Sequence, residues 1–148
     1  MSDHADDHSE LRYGPLDAQH RALGARMAPF GGWEMPIQYT SVLEEHRACR
    51  TGAAMFDVSH LGSVRVTGAD AFALLQSAFT NDLTRIAPGR AQYTHLLDTT
   101  DAHIVDDIIV WWVADGDFIV MPNASNTDRI VDALGEFPDI TATRAILA

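Results

Sequence analysis

The spacing of apolar residues along the chain predicts alternating helices and strands. Ser41-Val42-Leu43-Glu44 has the S-x-x-E spacing of a capping box and predicts a helix that runs to Thr51 and stops at Gly52. Apolar side chains at helical spacing predict a second helix over residues 70–79. These two segments are the clearest local signals in the chain.

Two further helices are predicted from an amphipathic pattern and a candidate cap. Asp17 is placed to accept a backbone N–H from the first turn of a helix over residues 17–27. Ser125 or Asn126 is expected to cap a helix that continues to Leu134.

Strands are predicted where apolar and polar residues alternate or where short apolar runs lie between turn residues. The predicted strands cover residues 62–68, 91–97, 104–113, 118–121 and 140–146. Residues 104–113 are apolar on both faces of the pleat apart from two aspartates, which predicts a central strand covered on both sides. Together these elements predict an α+β fold with a mostly antiparallel sheet, packed helices and, at 148 residues, a single core.

Composition restricts the possible functions. The formal net charge of −11 argues against a nucleic-acid surface or an anionic membrane patch. Cys49 is the only cysteine, so no intramolecular disulfide can form, and a reducing, cytoplasmic location is expected. Its thiol is expected to be a small buried hydrophobe without a chemical role. No apolar run approaches the roughly 20 residues that cross a bilayer, so a soluble protein is expected.

The pair Asp106 and Asp107 places two carboxylates inside an otherwise apolar strand. Neighbouring residues of a strand point to opposite faces, so the two are not expected to act on one substrate atom. In one interpretation, one aspartate caps a turn and the other pairs with an arginine such as Arg65 or Arg90. In the other, one carboxylate takes or orients a proton, with its pKa set by the apolar walls around it. The pattern alone leaves both interpretations open.

Several other patterns suggest chemistry but have ordinary structural explanations. Asp57, Ser59 and His60 could form a Ser/His/Asp set, yet local hydrogen bonds that shape a turn are favoured. No zinc-binding spacing, glycine-rich nucleotide motif or P-loop is found, so no metal or nucleotide site is predicted. Asn123 could offer a donor and an acceptor at a strand end, or form a turn. Five aromatic residues could line a flat heterocycle or belong to the core: Trp33, Tyr39, Tyr93, Trp111 and Trp112.

Several segments, in this order, resemble the aminomethyltransferase family, the T-protein of glycine cleavage. They are residues 30–36 (FGGWEMP), 55–62 (MFDVSHLG), 80–83 (TNDL), 91–93 (AQY), 105–110 (VDDIIV) and 123–124 (NA). The resemblance runs from about residue 15 to the last residue. The polar, acidic first residues predict a disordered tail at 1–12, and the resemblance implies an N-terminal folate-binding region at 13–148.

The resemblance implies a reaction in which tetrahydrofolate takes an aminomethyl group from the lipoyl arm of a carrier (H) protein, with release of ammonia. In the family a carboxylate contacts nitrogens on the pterin side of the folate, and the motif places this catalytic group on Asp107. Leu61, Tyr93 and Asn123 match positions that line the folate pocket, and Asp106 is expected to be a structural partner.

The chain departs from the family pattern in several places. Ala102-His103 stands where the family has Gly-Gly, and the segment from Tyr93 to Asp107 is one residue longer. Pro122, which has no N–H, stands where the family keeps a strand donor. Family members are more than twice as long, and the chain ends without a stop signal, which predicts a truncated form. A non-catalytic folate-binding module and an inactive fragment therefore remain alternatives to the enzyme.

Overall fold

A computed structural model of the chain describes residues 11–135 and 141–144, the last four as backbone only. The chain divides into two compact units, Met1–His60 and Leu61–Ala148, where the sequence predicted one core. Most of the predicted acidic tail lies outside the described residues, whereas Arg12 already belongs to a strand.

Unit 1 contains a small sheet and two helices. Its elements are β1 (Arg12–Tyr13), α1 (Asp17–Ala22), β2 (Arg26–Phe30), β3 (Trp33–Gln38) and α2 (Val42–Thr51). The strand order is β1-β3-β2, in which β1 runs parallel to β3 and β2 runs antiparallel to it.

The predicted helix over residues 17–27 is much shorter than expected. Asp17 is its first helical residue, not its cap, and forms a salt bridge with Arg21 at 3.0 Å. The helix ends because Gly24 adopts a positive φ of 75°, a conformation that continues no right-handed helix. The chain then enters β2, whose pairing with β3 outweighs the helical pattern of the local sequence.

Helix α2 has the predicted bounds. Ser41 Oγ accepts a hydrogen bond from the backbone N–H of Glu44 at 3.2 Å, and Gly52 follows the last turn. None of the residues of this helix is buried, so the prediction that Cys49 is a buried hydrophobe is wrong. Among the residues that the structure describes, no helix is long and apolar enough to cross a membrane.

Unit 2 contains a five-stranded sheet with two helices. Its elements are β4 (Val64–Thr67), α3 (Ala71–Ala78), β5 (Arg90–Leu97), β6 (Ile104–Ala114), β7 (Asp117–Met121), α4 (Thr127–Leu134) and β8 (Thr141–Arg144). The strand order is β5-β6-β7-β4-β8, and every neighbouring pair is antiparallel. The predicted α+β class with a mostly antiparallel sheet is confirmed.

Both helices of unit 2 contribute to a single core with one face of this sheet. Leu75 of α3 and Ile130 of α4 are fully buried together with strand residues such as Val110 and Val120. Burial of each such side chain contributes about 1.5–3 kcal/mol before the entropy of ordering is subtracted.

Strand β6 is covered on one face only, so the prediction that both faces are covered is wrong. Ile108 and Val110 are fully buried, whereas Trp111 is 49% exposed. An antiparallel sheet commonly keeps one face in water, because its short connections do not place a helix on each side. We call the face that carries Tyr93, Asp107 and Trp111 the open face.

The chain departs from the family pattern in and near the connection between β5 and β6. Leu96 pairs with Asp106 and Leu97 with Ile104, so Val105 is an extra residue in a bulge. Ala102 has a φ of 60°, in the left-handed region that favours glycine.

Candidate active site

Asp106 and Asp107 lie on opposite faces of β6, as predicted from strand geometry. Asp106 is 4% exposed and lies on the core face with Ile108 and Val110. Asp107 lies on the open face and is exposed to solvent. The two carboxyl groups therefore have different surroundings although they are adjacent in sequence.

Asp106 is held by amide groups from the chain that follows β7. Its Oδ2 accepts from the backbone N–H of Asn123 at 3.0 Å. Its Oδ1 accepts from the side-chain amides of Asn123 at 2.9 Å and Asn126 at 2.8 Å. These bonds satisfy a buried carboxylate without a cation.

The structural interpretation had two parts: one aspartate caps a turn, and the other pairs with an arginine. The first part holds and the second does not. Asp106 does accept a backbone N–H where a strand turns, but Arg65 forms its salt bridge with Asp117, at 2.7 Å. Within residues 11–135, neither Asp106 nor Asp107 forms a salt bridge with an arginine.

Asp107 is bonded by a phenol and by an amide. The Tyr93 hydroxyl donates to its Oδ2 at 2.6 Å, and Asn123 Nδ2 donates to its Oδ1 at 2.8 Å. The hydrogen bond from Tyr93, followed by that from Asn123, holds the pKa of Asp107 below its ordinary value of 3.8. The expectation that apolar walls set this pKa is wrong, because Asp107 is exposed and its hydrogen bonds dominate. Asp107 is consequently a carboxylate at neutral pH.

Asn123 joins the two aspartates through one amide nitrogen, although their side chains lie on opposite faces. The pairing of Ile109 with Met121 brings the chain after β7 alongside the aspartates. Pro122 follows without an N–H, so the strand ladder stops there. The backbone N–H of Asn123 is thereby free to bond Asp106, and the proline does not remove Asn123 from the site.

The TNDL segment anchors the strand that carries Tyr93. Asn81 Nδ2 donates to the backbone oxygen of Tyr93 at 2.8 Å, and the Asn81 N–H donates to Thr94 Oγ1 at 3.0 Å. Asp82 accepts from the backbone N–H of Thr84 and so caps a short 3₁₀ turn, Leu83–Arg85. Sequence reasoning assigned no role to Asn81.

Asn126 is the second residue of the site that sequence reasoning missed. It was predicted as a helix cap, and it does stand at the cap position of α4, but its side chain makes no capping hydrogen bond. Its amide bonds Asp106 instead. The only signal in the sequence was the proximity of two asparagines, which is also typical of turns.

Leu61 reaches this region through its neighbour Gly62. Leu61 is partly buried, and Gly62 packs against Pro122 and Thr127. A Cβ at Gly62 would lie 2.9 Å from Pro122 Cγ and would overlap the Thr127 side chain. This close approach brings the segment that contains Leu61 next to the residue that precedes Asn123.

The predicted aromatic residues fall into three groups. Tyr93 and Trp111 lie on the open face, exposed by 56% and 49%. Trp112 belongs to the core face, where its ring packs against Phe72 at 5.2 Å and Phe118 at 5.3 Å. Trp33 and Tyr39 belong to unit 1.

Asp57 and the backbone N–H of Ser59 belong to a hydrogen-bond network of unit 1. The backbone N–H of Ser59 donates to Asp57 Oδ1 at 2.8 Å, as expected for a local turn. Asp57 Oδ2 bonds His20 Nε2 at 2.8 Å, and His20 Nδ1 bonds the Tyr39 hydroxyl at 2.7 Å. Burial raises the pKa of Asp57, but the hydrogen bonds from His20 and Ser59 outweigh it and hold the pKa below 3.8.

Unit 1 also contains a cavity of about 510 Å³ between β3, α2 and residues 54–57. Tyr39, Glu45, Cys49 and Asp57 are among its lining residues. Glu45 Oε1 accepts from the backbone N–H of Tyr39, which fixes one wall.

A possible set of metal ligands lies in the turn between β5 and β6. Ligand atoms of Asp98, Asp101 and His103 lie within 4.8 Å of one another. His103 Nδ1 bonds Asp101 at 2.6 Å, and Asp98 accepts from the backbone N–H of Thr100. These contacts are sufficient to explain the cluster as part of the turn.

The fold and the site together define an α+β domain that presents an ionised carboxylate, a phenol and a carboxamide on one sheet face. Residues 16–145 match the family model of the GCVT N-terminal domain. The chain belongs to this family, and the resemblance to the N-terminal part of aminomethyltransferases is confirmed.

Curated relatives and a solved structure agree with this assignment. An aminomethyltransferase from Mycobacterium tuberculosis is 49% identical over 128 residues, which cover 86% of this chain and 35% of the relative. One from Streptomyces coelicolor is 47% identical over 128 residues, which cover 86% and 34%. The crystal structure of glycine cleavage system aminomethyltransferase T from Bartonella henselae superposes with a TM-score of 0.83 at 31% identity, over 91% of this chain and 38% of that one. This chain thus spans about a third of the length of these proteins.

Proposed function

We propose that this chain is the N-terminal folate-binding part of a tetrahydrofolate-dependent aminomethyltransferase of glycine cleavage. The activity moves an aminomethyl group from the lipoylated carrier (H) protein to tetrahydrofolate and releases ammonia. Membership of the GCVT N-terminal domain family and the ionised Asp107 on the open face support the proposal. The single cysteine agrees with a cytoplasmic location.

The proposed chemistry transfers one carbon between two pairs of heteroatoms. Two amine nitrogens of tetrahydrofolate form bonds to the methylene carbon, while its bonds to sulfur and to the amino nitrogen break. The sulfur leaves as the dihydrolipoyl thiol and the nitrogen as ammonia, so no external oxidant or reductant is required.

Asp107 would bind and orient the amine of the substrate. An ionised carboxylate accepts the N–H of the amine and stabilises the positive charge that develops as the nitrogen attacks carbon. Its lowered pKa makes Asp107 a weak base, so a role as acceptor and electrostatic partner fits the geometry better than complete removal of the proton. Tyr93 and Asn123 would hold the carboxylate in one orientation.

The test is ammonia release from an aminomethyl-loaded carrier, with and without tetrahydrofolate. Asp107→Asn is expected to lower the rate by about 10²- to 10⁴-fold, the usual contribution of a positioned acid–base group. Asp115→Asn, in the exposed turn between β6 and β7, is the matched control and should keep the wild-type rate. If Asp107→Asn also kept that rate, the assignment of Asp107 would be wrong.

A folate-binding module without transferase activity is the second candidate, because the chain spans about 35% of the length of its relatives. This candidate predicts tetrahydrofolate binding without ammonia release. Failure to bind tetrahydrofolate at all would contradict both the enzyme and the module, and would leave the inactive fragment.

A further inference from the structure

The donor hydrogens of the Asn123 carboxamide are directed at the two aspartates. Its Nδ2 lies 2.9 Å from Asp106 Oδ1 and 2.8 Å from Asp107 Oδ1. We propose that Asp106 and Asn126 are positioning residues that fix this carboxamide with its oxygen outward, so that the site selects a ligand edge with two neighbouring N–H donors. The identity of the ligand rests on the proposed function, whereas the donor pattern rests on the geometry.

The orientation of Asn123 follows from the chemistry of its partners. A carboxylate has no hydrogen to donate, so it can bond the NH₂ end of a carboxamide but not the oxygen end. Reversing the amide would place its oxygen within 3 Å of two carboxylate oxygens and would lose both hydrogen bonds. The Asn123 oxygen must therefore face away from Asp106 and Asp107.

Asn126 prevents Asp106 from adapting to a different orientation. Asp106 is 4% exposed, and the Asn126 amide bonds the same Oδ1 that accepts from Asn123. The backbone N–H of Asn123 occupies the other oxygen. Rotation of the Asp106 carboxyl group would break several of these bonds in a site that water barely reaches.

Tyr93 contributes to the same pattern on the other side of Asp107. A phenol has one proton, and Tyr93 donates it to Asp107. Asp107, Asn123 and Tyr93 therefore offer the ligand only acceptors, namely the carboxylate, the amide oxygen and the phenol oxygen. A ligand atom with a lone pair and no hydrogen would be left unpaired there.

This pattern distinguishes the oxidation states of the pterin ring. Tetrahydrofolate carries hydrogen on both N5 and N10, which are separated by two carbons, whereas N5 of folic acid has a lone pair only. An unpaired polar group buried in a complex costs enough to weaken binding by roughly 10- to 100-fold. The site should therefore prefer tetrahydrofolate to folic acid by that factor.

The experiment measures the dissociation constants of tetrahydrofolate and folic acid for the chain by anaerobic calorimetry. The wild-type chain should show at least about a 10-fold preference for tetrahydrofolate. Asn126→Ala and Asp106→Asn should each reduce this ratio towards one, because both weaken the set of hydrogen bonds that holds the Asn123 amide in this orientation. Ser125→Ala, next to Asn126 in an exposed position, should keep the wild-type ratio.

The ratio separates positioning from simple loss of structure, which would weaken both ligands equally. Recovery of the wild-type affinity ratio in Asn126→Gln would support the positioning role. In Asn126→Ala, the NMR resonances of the Asn123 side-chain NH₂ group should shift even if that variant binds both ligands weakly. Equal affinity of the wild-type chain for both ligands, binding of neither, or an unchanged ratio in both variants would overturn the proposal. Preference for tetrahydrofolate without ammonia release would support this inference while contradicting the transferase.

Discussion

Tyr93 and Asp107 lie on the neighbouring strands β5 and β6, and the Tyr93 hydroxyl donates to Asp107 Oδ2 at 2.6 Å. The strand register pairs Asp107 with His95, so Tyr93 reaches it diagonally from two residues away. The bond stabilises the charged form of the acid and the neutral form of the phenol. It therefore lowers the pKa of Asp107 and raises the pKa of Tyr93 above 10.0.

We predict that Tyr93→Phe raises the pKa of Asp107 towards its ordinary value. Because the pKa of the folded state lies below 3.8, its contribution to stability is present above about pH 3.8 and is lost as the pH falls through the folded pKa. The variant should lose part of that contribution and show a shallower decrease of stability in acid. Carboxyl ¹³C titration of Asp107 measures the shift directly. Tyr13→Phe, at a 61% exposed tyrosine of unit 1, should leave the titration unchanged.

We predict that Ser41→Ala destabilises α2 by about 1 kcal/mol, because the N–H of Glu44 loses its side-chain acceptor. Ser41→Asp retains an acceptor at the same position and should preserve the helix. Amide hydrogen exchange in the first turn of α2 measures the effect. Equal protection in wild type and Ser41→Ala would contradict the capping role.

We predict that Ala102→Gly stabilises the chain by about 0.5–1 kcal/mol. A φ of 60° costs an L-residue roughly 1–2 kcal/mol, and the added freedom of glycine in the unfolded chain offsets part of the gain. Denaturation of both proteins measures the difference. Ala87→Gly is the control: Ala87 lies in an exposed loop at negative φ, and the change should destabilise by about 0.4–1 kcal/mol. Destabilisation by Ala102→Gly would contradict the account.

Local signals predicted the elements whose ends are determined by nearby residues. The cap at Ser41 and the glycine at Gly52 fix both ends of α2, so its bounds follow from the sequence. The helix predicted from Asp17 to Met27 is shorter because Gly24 has a positive φ and because β2 then pairs with β3, a contact that no local window contains. The one-sided cover of β6 was missed for the same reason, since it depends on where α3 and α4 pack.

The candidate site shows the same difference between features that local sequence determines and features that depend on long-range contacts. Strand alternation predicted that Asp106 and Asp107 face opposite ways, and the family pattern singled out Asp107, Tyr93 and Asn123. The contact between Asp106 and Asn126 spans 20 residues and depends on the bulge at Val105 and the end of β7. No pattern in the sequence records such a register.

Two His–Asp pairs have similar chemistry but different burial, so together they test how burial affects the contribution of such a pair to stability. His20 and Asp57 are 2.8 Å apart with side chains 11% and 6% exposed, whereas His103 and Asp101 are 2.6 Å apart with side chains 55% and 66% exposed. Hydrogen bonds to a buried charged group contribute about 1.5–3 kcal/mol, while an exposed pair exchanges its partner for water at little cost.

We therefore predict that Asp57→Asn destabilises unit 1 by about 1.5–3 kcal/mol at pH 7, because one of the donors from His20 and Ser59 then faces an NH₂ group. The pKa of Asp57 is lowered, so its contribution is present above about pH 3.8 and lost as the pH falls through the folded pKa. The difference between wild type and variant should accordingly shrink in acid. Hydrogen exchange of the His20 and Asp57 backbone amides at pH 7 measures the loss of local stability. Urea denaturation of both proteins at pH 3 and pH 7 measures how the stability difference depends on pH. Asp101→Asn should change stability little, and an equal loss in the two variants would show that burial does not determine the strength of these pairs.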